Sequence, residues 1–144
     1  MKHVGFIFAA LALGVSVPAA AQNFPLAYGD YVEMTSVSID DGHNMDYANF
    51  LTTKWKAQED FAKAQGWITG YEILANPWKR AGEPDLYLVV RFRSTPDAAE
   101  QVRRDQIMRD HVKMDDTQMD AGAADRAKFR HVTGSELLQV LAFK

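Results

Sequence analysis

The stretch "DLYLVVRFR", from Asp85 to Arg93, is the one on which the reading of the fold turns. Leu86, Leu88, Val90 and Phe92 recur at every second position and are uniformly apolar, the period of a β-strand with one face turned to a core. The intervening Tyr87, Val89, Arg91 and Arg93 belong to the opposite face and mix apolar with charged side chains. A covered face and a half-polar face on one strand predict a sheet with helices packed on a single side.

Working outward, "YVEMTSVSI" (Tyr31–Ile39) is rich in β-branched and aromatic residues and predicts a first strand. After the turn "DDGHN", with Asn44 as the expected N-cap, Tyr47, Phe50, Leu51, Trp55, Phe61 and Ala62 recur near the helical repeat up to the stop at Gly66. "WITGYEILAN" predicts a second strand, and "PWKRAGEP" a loop before the third. "STPDAAE" opens another helix, with Thr95 as cap and Pro96 in the first turn, running to about Val112. "MDDTQMDAG" reads as a break, "AADRAKFRHV" as a shorter helix ended by Gly134, and "SELLQVLAFK" as the last strand. The order β-α-β-β-α-β predicts an α+β, ferredoxin-like domain over residues 31–144, with a four-stranded antiparallel sheet and its helices on one face.

Residues 1–21 have the pattern of an export signal: the basic "MK", the apolar "VGFIFAALALGVSV", the breaker Pro18, and small residues at Ala19 and Ala21. The apolar run falls short of the roughly 20 residues a membrane span needs. Cleavage after Ala21 and a periplasmic location are therefore expected, with residues 22–30 an irregular lead-in. The net charge of −3 argues against a nucleic-acid or anionic-lipid partner. The chain has no cysteine, which excludes disulfides, thiolate catalysis and cysteine-ligated metals. G-x-S-x-G, a phosphate-binding glycine loop and H-E-x-x-H are all missing.

The outer face of the sheet is the informative surface. The same alternation assigns Glu33, Thr35 and Val37 of the first strand to it, with Glu72 and Leu74 of the second; the last strand contributes either Gln139 and Leu141 or the neighbouring set, since both its faces are apolar. Val37, Leu74 and Val89 make such a face too apolar for water, so a homodimer with facing sheets is expected. Element order, domain size and the half-polar outer face resemble the dimeric α+β barrel superfamily. That resemblance extends over Tyr31–Lys144 as architecture. It implies a ligand between the sheet and the second helix, and activities that range from cofactor-free monooxygenases to haem-binding enzymes and isomerases.

The candidate site residues follow from chemistry. "RDHVKMDDTQMD" (Arg109–Asp120) gathers His111, Met114, Met119 and several aspartates. Imidazole and thioether suit copper, and "HNM" at His43–Met45 adds a second such pair. Met119 nevertheless falls beyond the expected helix end, and no metal site is assigned. Imidazole is the side chain whose ordinary charge change lies closest to neutral pH, so His111 is the candidate catalytic base or haem ligand, the alternative being a solvated helix flank. Tyr87, Arg91, Glu33 and Glu72 on the outer face are candidate ligand-binding residues, or else an interfacial ion pair. Trp78, beside Lys79 and Arg80, is a candidate anchor for a partner or a ligand. The expectation is an exported, homodimeric small-molecule-binding or interaction domain, with an α+β-barrel enzyme as the alternative. No particular cofactor follows.

Overall fold

A computed structural model describes residues 24–144; the export signal expected over 1–21 lies outside the described residues. β1 spans Leu26–Ile39 and α1 Asn44–Phe50. A π-helical segment, Leu51–Trp55, joins α1 without a break to α2, Lys56–Ala64. β2 (Gly70–Ala75) and β3 (Leu86–Phe92) follow, then α3 (Ala98–Val112), α4 (Asp116–Ala127) and β4 (Arg130–Phe143). The strands form one sheet in the order β2-β3-β1-β4, antiparallel throughout. The molecule is α+β with the expected ferredoxin-like arrangement, and α4 is an added helix in its second crossover.

Several local expectations are corrected. β1 begins at Leu26, so most of the expected lead-in is strand. Position 43, not 44, precedes the first turn of α1, and the His43 side chain makes no capping hydrogen bond. Asp97, not Thr95, caps α3 by accepting from the Glu100 N–H at 2.8 Å, because its carboxylate is the better acceptor for an orphan N–H. The expected break is confined to Lys113–Asp115, and "DTQMDAG" after it is helical. Lys113 turns left-handed at φ 55° to end α3, and Asp115 with Gln118 closes a reciprocal capping box that starts α4. β4 starts at Arg130, and Gly134 lies inside it next to a shift in register.

The largest correction concerns β1. Val37, Thr35, Glu33 and Tyr31 stand opposite Leu86, Leu88, Val90 and Phe92. Residues directly opposite one another project to the same side of a sheet. Glu33, Thr35 and Val37 therefore lie on the helix side, and Val32, Met34 and Ser36 are the ones on the outer face with Arg91, Val89 and Tyr87. The alternation of β1 misleads because both of its faces mix polar and apolar side chains.

Val37, fully inaccessible, packs with Tyr47, Leu51 and Trp55, and Leu86, Leu88, Val90 and Tyr71 close around them. The three helical members are four residues apart. In an α-helix that spacing drifts by about 40° per step and would spiral off the sheet. The wider π turn at Leu51–Trp55 takes up the drift. Its local cause is visible: the Thr52 hydroxyl donates to the Ala48 carbonyl at 2.9 Å, and the Thr53 hydroxyl to that of Asn49 at 2.6 Å. These bonds compete for the carbonyls that an α-helical ladder would use at this point.

The register makes a direct prediction. Val37→Ala should cost about 2 kcal/mol of stability in urea unfolding, because the side chain is buried within one chain. A loss below about 0.5 kcal/mol, the usual effect at a surface position, would return Val37 to the outer face.

Candidate functional site

The core column does not end in another apolar residue. Four positions after Trp55 comes Glu59, in register with Tyr47, Leu51 and Trp55 and half-buried. It lines a cleft of about 280 Å³ between the sheet and α2, walled by Trp55, Leu88 and Val90, with Thr35 and Glu33 completing the lining. β1 brings Glu33 here because the register places it opposite Val90 and on the helix side. On the other flank of Trp55 lies a second, smaller space of about 210 Å³, lined by Leu51, Tyr71 and Ile73 among others. The indole thus partitions the gap between helix and sheet.

The electrostatics of the cleft are one-sided. Burial pushes the Glu59 carboxyl up to about 7, and the negative charge of Glu33 adds to that push. Among the described residues no cation or hydrogen-bond donor offsets these two effects. A carboxyl held near neutrality in an apolar-walled cleft exchanges its proton at physiological pH, which is what acid–base chemistry or recognition of a hydrogen-bonding ligand requires.

The residues singled out in the sequence are scattered by the fold. Glu33 enters the cleft. Tyr87, Arg91 and Glu72 remain together on the outer face, where Arg91 Nη2 donates to Glu72 Oε1 at 2.7 Å. Both members of that pair are exposed, so the bond is of the kind that contributes at most about 1 kcal/mol. Trp78 sits at the tip of the β2–β3 loop and is 90% exposed. His111, in the last turn of α3, is exposed and stacked on Phe61 with ring centroids 3.8 Å apart, and it does not line the cleft.

Met114 and Met119 do share a cavity, with Phe50, Gln58 and Gly122, but Lys54 and Arg126 line it too. Two fixed cations oppose a metal ion there, and no group of three or more potential His, Cys, Asp or Glu ligands occurs among the described residues. His43 and His131 are engaged by Asp46 at 2.8 Å and Asp40 at 3.0 Å. A basic cleft of about 320 Å³ contains Lys63, Arg93 and Arg104. Two of its three charges are accounted for structurally: Arg104 bonds Glu100 at 2.7 Å and lies over Trp67, and Lys63 sits on the last turn of α2, where the helix dipole favours a cation.

Comparison with protein-family models, curated proteins and solved structures finds no match. The site is therefore argued from its geometry. Trp55, Glu59, Thr35, Leu88 and Val90 are the cleft residues that the sequence analysis did not select. The signal for Glu59 was present: a carboxylate continuing a four-residue apolar column on the most amphipathic helix of the chain.

Raising the carboxyl of Glu59 ties stability to pH. Its folded value lies above the ordinary 4.5, so the proton is held more tightly in the folded protein. That contribution is fully present below about pH 4.5 and is lost as pH rises through about 7. A shift of this size corresponds to roughly 3 kcal/mol, reduced by the solvent that reaches a half-buried group. Glu59→Gln should therefore stabilise the protein by about 1–3 kcal/mol at pH 8 relative to its effect at pH 4. Thermal unfolding at the two pH values reads this, and equal shifts at both would place Glu59 in solvent.

Proposed function

We propose that the chain is an exported small-molecule-binding protein whose ligand enters the cleft between β1, β3 and α2. The observation that carries this reading is Glu59: a carboxyl kept near neutrality, without a partner among the described residues to satisfy it, beside an indole and two aliphatic walls. A structural carboxylate would be expected to have a cation or a donor beside it, because burying one unpaired costs stability. Its retention at this position is explained by a ligand that supplies the missing hydrogen bond. With Glu33 alongside, the ligand's polar end is a hydrogen-bond donor or a cation rather than an anion. Its remainder is apolar, to match Trp55, Leu88 and Val90.

The same residue supports a second reading, an enzyme that moves a proton. A carboxyl near pKa 7 is matched to general acid–base catalysis at neutral pH, and Glu59, unlike His111, lines the cleft. The resemblance to dimeric α+β barrels is compatible with both readings and selects neither. The cleft lies under the first helical layer rather than under the second helix.

Native mass spectrometry separates these ideas from a purely structural cleft. Protein purified gently from the compartment to which it is exported should carry an organic mass of a few hundred daltons on part of its population. Val90→Phe, which fills the cleft, should lower that occupancy at least tenfold. Retention of the same mass at the same occupancy in the variant would sink the assignment of the ligand to this cleft.

A further inference from the structure

The cavity shared by Met114 and Met119 is unsuited to a metal ion for a reason that suits the opposite charge. It opens between the first helical layer and α4 and measures about 290 Å³. Its polar lining is Lys54 from the π turn, Gln58 from α2 and Arg126 from α4, and no carboxylate is among the lining residues. Phe50, Met114 and Met119 supply apolar walls. The chain has more acidic than basic side chains, 19 against 16, so its cations have acids enough to pair with. Lys128 does so, with Asp125 at 2.8 Å. Among the described residues no ion pair engages Lys54, Arg126 or Arg130.

The two arginines carry the argument. The Nε atoms of Arg126 and Arg130 are both buried without a hydrogen-bond partner. Burial first, and then the positive charge of Arg130, hold the Arg126 guanidinium below its ordinary value. Each guanidinium lies over an aromatic ring, Arg126 at 4.3 Å from the centre of Phe50 and Arg130 at 5.8 Å from that of Tyr47. A ring holds the flat face of a guanidinium and leaves its in-plane N–H donors unused. Two like charges, partly desolvated and unanswered by a carboxylate, work against folding. An anion in the cavity removes that opposition.

Gly122 is an independent sign. It stands in the middle of α4, where glycine is a poor helix former. A Cβ built there would meet Arg126 Nη1 at 3.4 Å and nothing else within 4 Å among the described residues, so packing does not demand glycine. What the missing side chain provides is open space between the cavity and the guanidinium.

We propose that this cavity binds a small organic carboxylate, its head group on Lys54 and Arg126 and its apolar body against Phe50, Met114 and Met119. A guanidinium fork matches a carboxylate in two parallel hydrogen bonds, and the Gln58 amide adds a donor. The apolar walls favour a carboxylate on hydrocarbon over inorganic phosphate, whose oxygens all seek donors. The site shares no lining residue with the Glu59 cleft and selects the opposite charge, so it does not rest on that cleft having a ligand. No strand lines it, which also sets it apart from a pocket between the sheet and the second helix.

Isothermal titration calorimetry of the purified protein with sodium octanoate, in a buffer without other carboxylates or phosphate, tests this. The expected result is one site per chain with a dissociation constant below about 1 mM. Octanol, which lacks the charge, and inorganic phosphate, which lacks the apolar body, should each bind at least about tenfold more weakly. Arg126→Met keeps an apolar stem over Phe50 and removes the charge, and Gly122→Leu fills the cavity with a better helix former. Each should raise the dissociation constant about tenfold or more, and either one decides the matter if far-UV circular dichroism shows the other misfolded. Arg93→Gln, which takes a charge from the other basic cleft, should leave the constant unchanged. No binding up to about 10 mM octanoate overturns the proposal. So does binding that survives Arg126→Met and Gly122→Leu, binding lost in Arg93→Gln, or phosphate held as tightly as octanoate.

Discussion

The structure depends on one straight column of side chains. Tyr47, Leu51 and Trp55 descend onto Val37 and the apolar face of β3, and they do so at intervals of four residues. An unmodified α-helix would carry the third member well away from the first, and the sheet would lose either its tyrosine or its tryptophan. The π turn keeps both. It originates in two adjacent threonines whose hydroxyls occupy helix carbonyls, so a local polar competition sets the alignment of the whole hydrophobic contact. Turns of this kind are often found beside functional sites, and here the turn also brings Glu59 under the helix.

The cleft is a consequence of the same column. Had position 59 been leucine, the column would have continued, the space beside Trp55 would have been filled and the core would have gained stability. A glutamate there leaves an opening and a carboxyl that resists ionisation, and Glu33 across the gap on β1 strengthens the resistance. Two acidic side chains on facing elements, with no cation between them, work against folding at neutral pH. On the proposed reading that cost is offset when a ligand enters.

How far all this is legible in the sequence differs from element to element. β3 declares itself, because one of its faces is purely apolar. The first helix is equally clear from its repeat. β1 is not, since "YVEMTSVSI" mixes polar and apolar residues on both of its alternating series, and only pairing with β3 decides which faces the helices. An error there moves Val37 from core to surface and Glu33 from cleft to interface, which is how one register choice altered both the expected partner surface and the expected site. "MDDTQMDAG" misleads for another reason: its aspartates suggest a turn, whereas Asp115 begins a helix through a reciprocal cap that needs Gln118 three residues on. Glu59 went unselected because sequence criteria favour histidines and clustered acids, while its unusual chemistry comes from burial.

The stretch "RDHVKMDDTQMD" finally explains why one half of the sheet stays open. It belongs to α3 and α4, neither of which contains a buried residue. α3 is held largely by its own side chains: Glu100 to Arg103 and Arg104, Gln101 to Asp105, Gln106 to Asp110. Its aromatic and cation–π contacts with the α2 region are His111 on Phe61 near its end and Arg104 over Trp67 near its middle, not an apolar stripe. A ferredoxin-like fold ordinarily covers the β4 half of its sheet with the second helix, and a helix so polar has little to cover it with. β4 nonetheless keeps leucine, valine and phenylalanine on both faces. Among the described residues no element buries these side chains, and Phe143 is left 93% exposed.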